Sequence, residues 1–434
     1  MEAGDYCCVI GAGRIGLPIS VTLASRGQRV LILERDESRC AIINDGKSPF
    51  YEEGMEGELK KAVERGDLSA TSKPSEISEC NIFIIAIGTG VLDDGTPDIS
   101  DIEALDNLLS PRLVADDTLI LKTTLPIGTT EKIAMVISES TGLDLDEELL
   151  VAFCPERIVE GRAMHELEVL PKIIGGIGPR SSSRVAEVMD IFGGEVVVVS
   201  DSRTAEMCKL LDNAYRMTRF GFAADVASVA WRNGIDAYEA INAANYQYER
   251  NSIPLPSIGV SGYCLTKDPY YLDAGASNLW TERGFPSTWI SARRAADMQT
   301  DEAINRISKE FTDGLSGKRI VVAGATYKEN IDDIRLSHGR DIARRLTEEG
   351  AVVSFWDPCV SQDRIDGIDV GHNEDCLQGS DALIITVPHR EFVDWAEKTT
   401  EIQKLGGYLI FDGWGIFSNS DNVVEEVRII GTGF

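Results

Sequence analysis

The segment "YCCVIGAGRIGLPISVTLASRGQRVLILERD", residues 6 to 36, admits few folds. An apolar strand pattern runs into a glycine turn and a helical pattern follows. A second apolar strand then covers Arg29 to Leu33, which makes a βαβ unit. Inside it, "GAGRIG" fits G-x-G-x-x-G. Gly11 permits the tight turn, Gly13 lets a pyrophosphate approach the backbone, and Gly16 allows close packing of helix on strand. Arg14 and Ile15 complete the turn, whose helix start offers unpaired N–H groups to phosphate. Glu34 ends the second strand, where a carboxylate accepts from a ribose 2′-OH and repels a 2′-phosphate. NAD is therefore expected over NADP, with the adjacent Arg35 as the opposing signal. The bland alternative is a glycine-rich turn without a ligand.

Further strands are expected in "CNIFIIAIGTG", "DDTLILKTT", "ELLVAFCPE", "PKIIGG" and "GEVVVVS", with helical stretches between them. Such alternation implies a doubly wound, mainly parallel sheet. From Asp201 the strand signals stop, and "SRTAEMCKLLDNAYRMTRFGFAADVASVAWRNG" keeps helical spacing until Gly234. A second α/β block opens at "GKRIVVAGATYKENIDDIR" and continues through "AVVSFWDP", "DALIITVP" and "GYLIFDG". The expected organisation is α/β with two Rossmann-like doubly wound domains, residues 1–200 and 317–434, joined by a helical segment over 201–316. Leu210, Leu211, Ala214, Met217, Phe220 and Phe222 give that segment more apolar positions than one face of a monomer needs, so a homodimer is expected through it. The second block lacks the glycine fingerprint and offers Lys328 and Arg335 in the equivalent turn. Those charges suit an anionic ligand, or a surface ion-pair network with Asp332 and Asp333.

A net charge of −29 argues against nucleic acid or an anionic membrane as partner, since both require basic patches. The acids are dispersed, which suits a solvated surface, and lysine is scarcer than arginine, as in proteins of high-salt cytoplasms. No apolar run is long enough to span a bilayer, and the first residues lack the pattern of a secretory signal. Nine scattered cysteines without a C-x-x-C pair suggest neither a disulfide framework nor a zinc site, so a reducing cytoplasm is expected and no metal.

One cysteine has unusual company. In "GVSGYCLTKDP", Cys264 follows Gly259 and Gly262, which let a ligand come near the backbone, and precedes Lys267 and Asp268. Lys267 favours a nearby thiolate and Asp268 can act as a base or hold one. A dinucleotide site plus an activated thiol suggests oxidation through a thiohemiacetal and a thioester. On composition alone, a small buried hydrophobe is the commoner fate of a cysteine.

Six motifs in order, "GAGRIG", "KTTLPIGTTE", "CPERIVEGR", "KLLDNAYR", "GVSGYCLTKDP" and "GATYKENIDDIRLS", make the chain resemble the UDP-glucose, GDP-mannose and UDP-N-acetylmannosamine dehydrogenase family. The resemblance implies oxidation of a nucleotide-sugar C6 alcohol to the carboxylate with two NAD+ consumed. It implies Cys264 as nucleophile, Lys209 as oxyanion stabiliser with Asn213 as its partner, and Asp268 for base or water activation. Glu156 and Glu160 match an acidic pair for substrate contact and thioester hydrolysis, and Thr124 a threonine that orders water beside the cofactor. Arg157, Arg250, Gly262, Lys267 and Lys328 fall at substrate positions, and Arg335 at a cofactor-proximal one. Ser261 departs from the usual two glycines before the cysteine. "CPER" resembles members that oxidise N-acetylated sugars, which favours UDP-N-acetylmannosamine or UDP-N-acetylglucosamine over UDP-glucose. A two-electron hydroxyacid-type dehydrogenase and a dinucleotide sensor without turnover are the alternatives, and neither needs "GYCLTKD".

Overall fold

The computed structural model describes residues 4–397, 408–417 and 427–434. The chain divides into two compact units, Met1–Asp212 with Tyr270–Ser277, and Asn213–Pro269 with Asn278–Phe434.

In the first unit, strands β1 (Tyr6–Ile10), β2 (Arg29–Leu33), β3 (Leu68–Thr71), β4 (Ile82–Ile85), β5 (Asp117–Leu121), β6 (Leu149–Phe153), β7 (Lys172–Gly176) and β8 (Val196–Val198) form one sheet. Their order is β8-β7-β6-β5-β4-β1-β2-β3. All pairs are parallel except β6 with β7. The strands read as continuous apolar runs because both faces are covered. Cys7, Val9, Val30, Ile32, Ile82 and Ile84 feed the core on one face, while Cys8, Ile10, Leu31, Leu33, Phe83 and Ile85 feed the other. Helix α1 (Gly16–Ser25) follows the glycine turn, and α2 (Thr129–Thr141) connects β5 to β6.

Helix α3 (Ser202–Asn233) is 32 residues long and ends before Gly234 at φ +66°, where the sequence pattern stops. Helices α4 (Tyr263–Ala274) and α5 (Thr288–Glu310) follow. In the second unit, strands β9 (Arg319–Ala323), β10 (Val352–Trp356), β11 (Arg364–Ile365), β12 (Ile368–Gly371), β13 (Ala382–Ile385), β14 (Tyr408–Asp412) and β15 (Val427–Gly431) form a second sheet, with α6 (His338–Glu348) between β9 and β10. The order is β11-β12-β10-β9-β13-β14-β15, again with a core on each face. The expected strands are all present; β3, β11, β12 and β15 were not foreseen.

The second block lacks the G-x-G-x-x-G spacing, as expected, yet its equivalent turn is also built on a pair of glycines. Gly324 (φ +108°) ends β9 as Gly11 (φ +101°) ends β1. A Cβ at Gly16 would lie 1.9 Å from the Gly11 carbonyl oxygen, and one at Gly339 would lie 2.1 Å from that of Gly324. Only glycine permits either approach. The interval between the paired glycines grows from five residues to fifteen, and that insertion hid the motif.

Candidate active site

In the first unit, the glycine turn has the geometry a dinucleotide needs. A Cβ at Gly13 would meet no atom within 4 Å, which leaves the backbone open to a pyrophosphate. Glu34 is buried and its carboxylate accepts from Ala12 N–H at 2.9 Å and Asp36 N–H at 3.0 Å, which ties the end of β2 to the turn. Arg39 stands 3.6 Å from it. Ile15 is half-buried at the start of α1. Arg14 lies 3.7 Å from Glu160 and over the Phe50 ring, so a cofactor candidate and a catalytic candidate meet. Arg35 is exposed, 3.6 Å from Asp101, well placed to be neutralised there.

Beyond the ends of β5 and β6 sits a buried ionic cluster. Glu156 accepts from Arg157 N–H at 2.8 Å and Ile158 N–H at 3.2 Å, and Lys122 lies 3.2 Å away. Burial works to raise the Glu156 carboxyl, but Lys122 and these backbone donors outweigh it and hold the group below the usual carboxylate range. Burial works to lower Lys122, yet Cys154, 3.5 Å from it, and Glu156 keep it raised. The sequence reading passed over Lys122, although a lysine closing the apolar run "DDTLILK" signals a buried counter-charge. Thr124 is half-buried and its carbonyl accepts from the Thr89 hydroxyl at 3.1 Å. Arg157 donates to the Pro171 carbonyl at 2.7 Å and lies 3.8 Å from Asp212.

Lys209 rides on α3, whose first turns are fastened by Glu206: its carboxylate accepts from Gly128 N–H at 2.5 Å and Thr130 N–H at 2.8 Å at the start of α2. Lys209 is 9% exposed and makes no hydrogen bond or ion pair among the described residues. A nearly buried ammonium without an internal anion is poised to meet one on a ligand.

In the second unit, Cys264 lies in the first turn of α4 and is the one exposed cysteine of nine; the others are buried or half-buried. The partial positive charge of a helix N-terminus favours a thiolate. One turn on, Asp268 is fully buried and accepts from the Lys267 ammonium at 2.8 Å and from Asn213 Nδ2 at 2.5 Å. The Lys267 ammonium stands 5.4 Å from the Tyr263 ring centroid. Thus three candidates separated in sequence form one buried network.

The glycines of this loop make room for the chain itself. A Cβ at Gly262 would fall 2.7 Å from the Tyr327 ring, and one at Gly259 would fall 2.5 Å from Thr300 Oγ1. Arg335 chelates Asp333, with contacts of 2.6 to 3.0 Å, and lies 5.5 Å from the Tyr263 ring centroid. The Arg335–Asp333 pair of the ion-pair alternative is thereby present. Lys328 is half-buried on the same insertion, and its carbonyl accepts from Thr326 Oγ1 at 3.0 Å. Arg250 is exposed and stacks over Tyr248, away from the Lys267–Asp268–Asn213 network in hydrogen-bonding terms.

The second turn is fastened by buried side chains. Asp357, the counterpart of Glu34, is fully buried and accepts from the N–H groups of Ala325, Thr326 and Cys359 at 2.7, 3.2 and 2.9 Å. His389 Nδ1 accepts from Asn330 N–H at 2.9 Å, and its Nε2 faces Asp357 at 3.4 Å. Cys359 lies nearby with its thiol pushed up to about 12 by burial and by Asp357. Asp357, Cys359 and His389 cluster tightly enough to suggest a metal site, but both imidazole nitrogens are already engaged.

Comparison with known proteins bears on both units. The description "UDP-glucose/GDP-mannose dehydrogenase family, NAD binding domain" matches residues 5–193, the family's central domain matches 203–295, and its UDP binding domain matches 321–419. A UDP-N-acetyl-D-mannosamine dehydrogenase of Methanococcus aeolicus is 31% identical, over 90% of this chain and 86% of its own. An NDP-N-acetyl-D-galactosaminuronic acid dehydrogenase of Ralstonia solanacearum is 29% identical over 94% and 96%. The solved UDP-D-ManNAc dehydrogenase of Pyrococcus horikoshii, 29% identical, superposes with a TM-score of 0.87 over 99% of both chains. No helix among the described residues is long and apolar enough to cross a membrane. With an open glycine turn that fits NAD and a matching UDP-binding block, this chain belongs to the UDP-glucose/GDP-mannose dehydrogenase family and is an NAD-dependent oxidoreductase acting on a nucleotide sugar.

Proposed function

We propose that the protein oxidises the C6 alcohol of a UDP-N-acetylhexosamine, UDP-N-acetylmannosamine first and UDP-N-acetylglucosamine second, to the uronic acid. The observation that carries this reading is Cys264: the one exposed thiol, at a helix N-terminus, beside a buried Lys267–Asp268–Asn213 network. The relatives' names favour the acetylated mannose derivative, and that from Ralstonia keeps a galactose derivative within the test.

NAD+, held by Gly11, Gly13, Arg14, Ile15, Gly16 and Glu34, supplies a hydride acceptor for each of two oxidations. Loss of one hydride and one proton turns the alcohol into an aldehyde, whose carbonyl carbon Cys264 Sγ attacks to form a thiohemiacetal. Loss of a second hydride and proton gives a thioester, and water cleaves its C–S bond to release the carboxylate and restore the thiol. Asp268, held between Lys267 and Asn213, is placed to accept a proton, and Lys209 offers its unpaired ammonium to a developing oxyanion. Thr124, Glu156 and Glu160 serve water activation, with Lys122 keeping Glu156 anionic. Lys328, Arg335, Arg157 and Arg250 are assigned to the nucleotide sugar and its cofactor. Met207, Leu211, Tyr215, Phe222 and Val229 are exposed at roughly one-turn or two-turn spacing along α3, which supports a homodimer through that helix, in a cytoplasmic protein.

A panel of nucleotide sugars with NAD+, read by NADH absorbance, tests the reading. Two NADH per sugar consumed are expected, and one would indicate a two-electron enzyme. Cys264→Ala should lose uronic acid at least a thousandfold, whereas Cys264→Ser should give a small burst of NADH and then stall. Wild-type uronic acid production by Cys264→Ala would overturn the thioester route.

A further inference from the structure

We propose that Ser261 and His338 are a positioning pair that fixes the loop in front of Cys264 and thereby sets the reactivity of its thiol. This rests on the reading of Cys264 as nucleophile. Ser261 is the residue that departs from the family's paired glycines, and the structure gives its hydroxyl two partners. Ser261 Oγ accepts from His338 N–H at 3.0 Å and is hydrogen-bonded to His338 Nδ1. Besides accepting, a serine hydroxyl has one proton to give, and with the neutral ring protonated on Nε2 the Ser261 hydroxyl donates it to Nδ1. The surroundings hold that state: burial, with the nearby Arg293 guanidinium, lowers His338 to about 4.

The link joins two elements that each matter to the site. His338 opens α6, so Ser261 satisfies one of the orphan N–H groups at that helix start while Ser337 Oγ takes Gly339 N–H at 3.1 Å. Ser261 itself stands three residues before Cys264, with only Gly262 and Tyr263 between. The rest of the loop is clamped from the same side: Arg293 donates to the Val260 carbonyl at 2.8 Å, and the Tyr327 ring covers Gly262. Without the Ser261 contacts, Gly262 at φ +93° would let the first turn of α4 drift, and with it the thiol's alignment on the helix end.

The test is the rate at which iodoacetamide alkylates Cys264 in the folded protein at pH 7, located by peptide mass. Because Cys264 is already exposed, access does not limit the rate, and losing alignment slows it. Ser261→Ala, which removes both bonds, should slow alkylation about fivefold to tenfold. His338→Leu, which removes only the acceptor, should slow it about threefold. His338→Asn, whose amide oxygen stands where Nδ1 stood, should stay within twofold of wild type. Ser287→Ala removes the N-cap of α5 in the same unit and should leave the rate unchanged. In turnover, Ser261→Ala should lower kcat with KM for the nucleotide sugar within twofold. A wild-type alkylation rate in Ser261→Ala or His338→Leu, a slow His338→Asn, or a slow Ser287→Ala would each overturn the proposal. Should wild type oxidise no nucleotide sugar, the proposed function falls, and the alkylation rates still decide the role of the pair.

Discussion

Gly11 and Gly324 take the same left-handed conformation at the end of the first strand of their sheets, and each donates its N–H at 2.9 Å to the last residue of the neighbouring strand, Leu33 or Trp356. Glu34 and Asp357 then reach back from that neighbour to the residue after the glycine, Ala12 or Ala325. Past that residue the turns diverge. In the first unit, four residues separate the paired glycines and the space beside Gly13 is open. In the second, the turn is longer by ten residues, and Asp357 and His389 accept from its N–H groups at Ala325, Thr326 and Asn330. One scaffold therefore carries two turns: in both a carboxylate fastens the residue after the glycine, and the first leaves the backbone beside Gly13 open.

The largest expected effect tests that fastening. Asp357→Ala leaves two buried N–H groups and one half-buried N–H without an acceptor, at about 1–3 kcal/mol for each buried group, so urea unfolding should show a loss of about 4 kcal/mol while NAD affinity stays within twofold. An unchanged midpoint would mean that the two carboxylates are not counterparts.

A smaller effect separates the two helix starts. The residue before the packing glycine is Ile15 in the first unit and His338 in the second. His338 is lowered to about 4 from an ordinary 6.5, so the unfolded chain binds a proton between these values while the folded one does not. The stability it contributes is complete above pH 6.5 and is lost as pH falls toward 4, the loss amounting to about 2 kcal/mol at pH 5. Hydrogen exchange should show the second unit losing protection first on acidification, and His338→Asn should flatten the slope. Equal loss in both units would break the contrast.

The smallest effect is Glu34→Ala. Calorimetric titration should give about tenfold weaker NAD binding, about 1.4 kcal/mol, with relaxed discrimination against NADP. If wild type already prefers NADP, Arg35 outweighs Glu34.

The first turn was legible in the sequence because all its signals fall within one short segment: apolar runs, three spaced glycines and a terminal carboxylate. The second was not, since an insertion broke the spacing on which the motif depends and the counterpart of Glu34 lies beyond it. Within the candidate site, Cys264, Lys267 and Asp268 stood out by adjacency, whereas the bond from Asn213 to Asp268 spans 55 positions and only folding discloses it. Lys122 was missed for a related reason, as its meaning depends on a carboxylate from the next strand. The Ser261 hydroxyl was visible as a departure, but its partner lies 77 residues on.

The chain passes from one compact unit to the other after Asp212, after Pro269 and after Ser277, and the second passage falls inside α4, the helix whose first turn carries the candidate nucleophile. Tyr271, on the far side of that proline, donates its hydroxyl to the Gly90 carbonyl at 2.7 Å. Such a polypeptide resists cassette-like inheritance: no single recombination point exchanges one unit whole, and a gene fragment ending at residue 212 would leave the first unit without its returning segment.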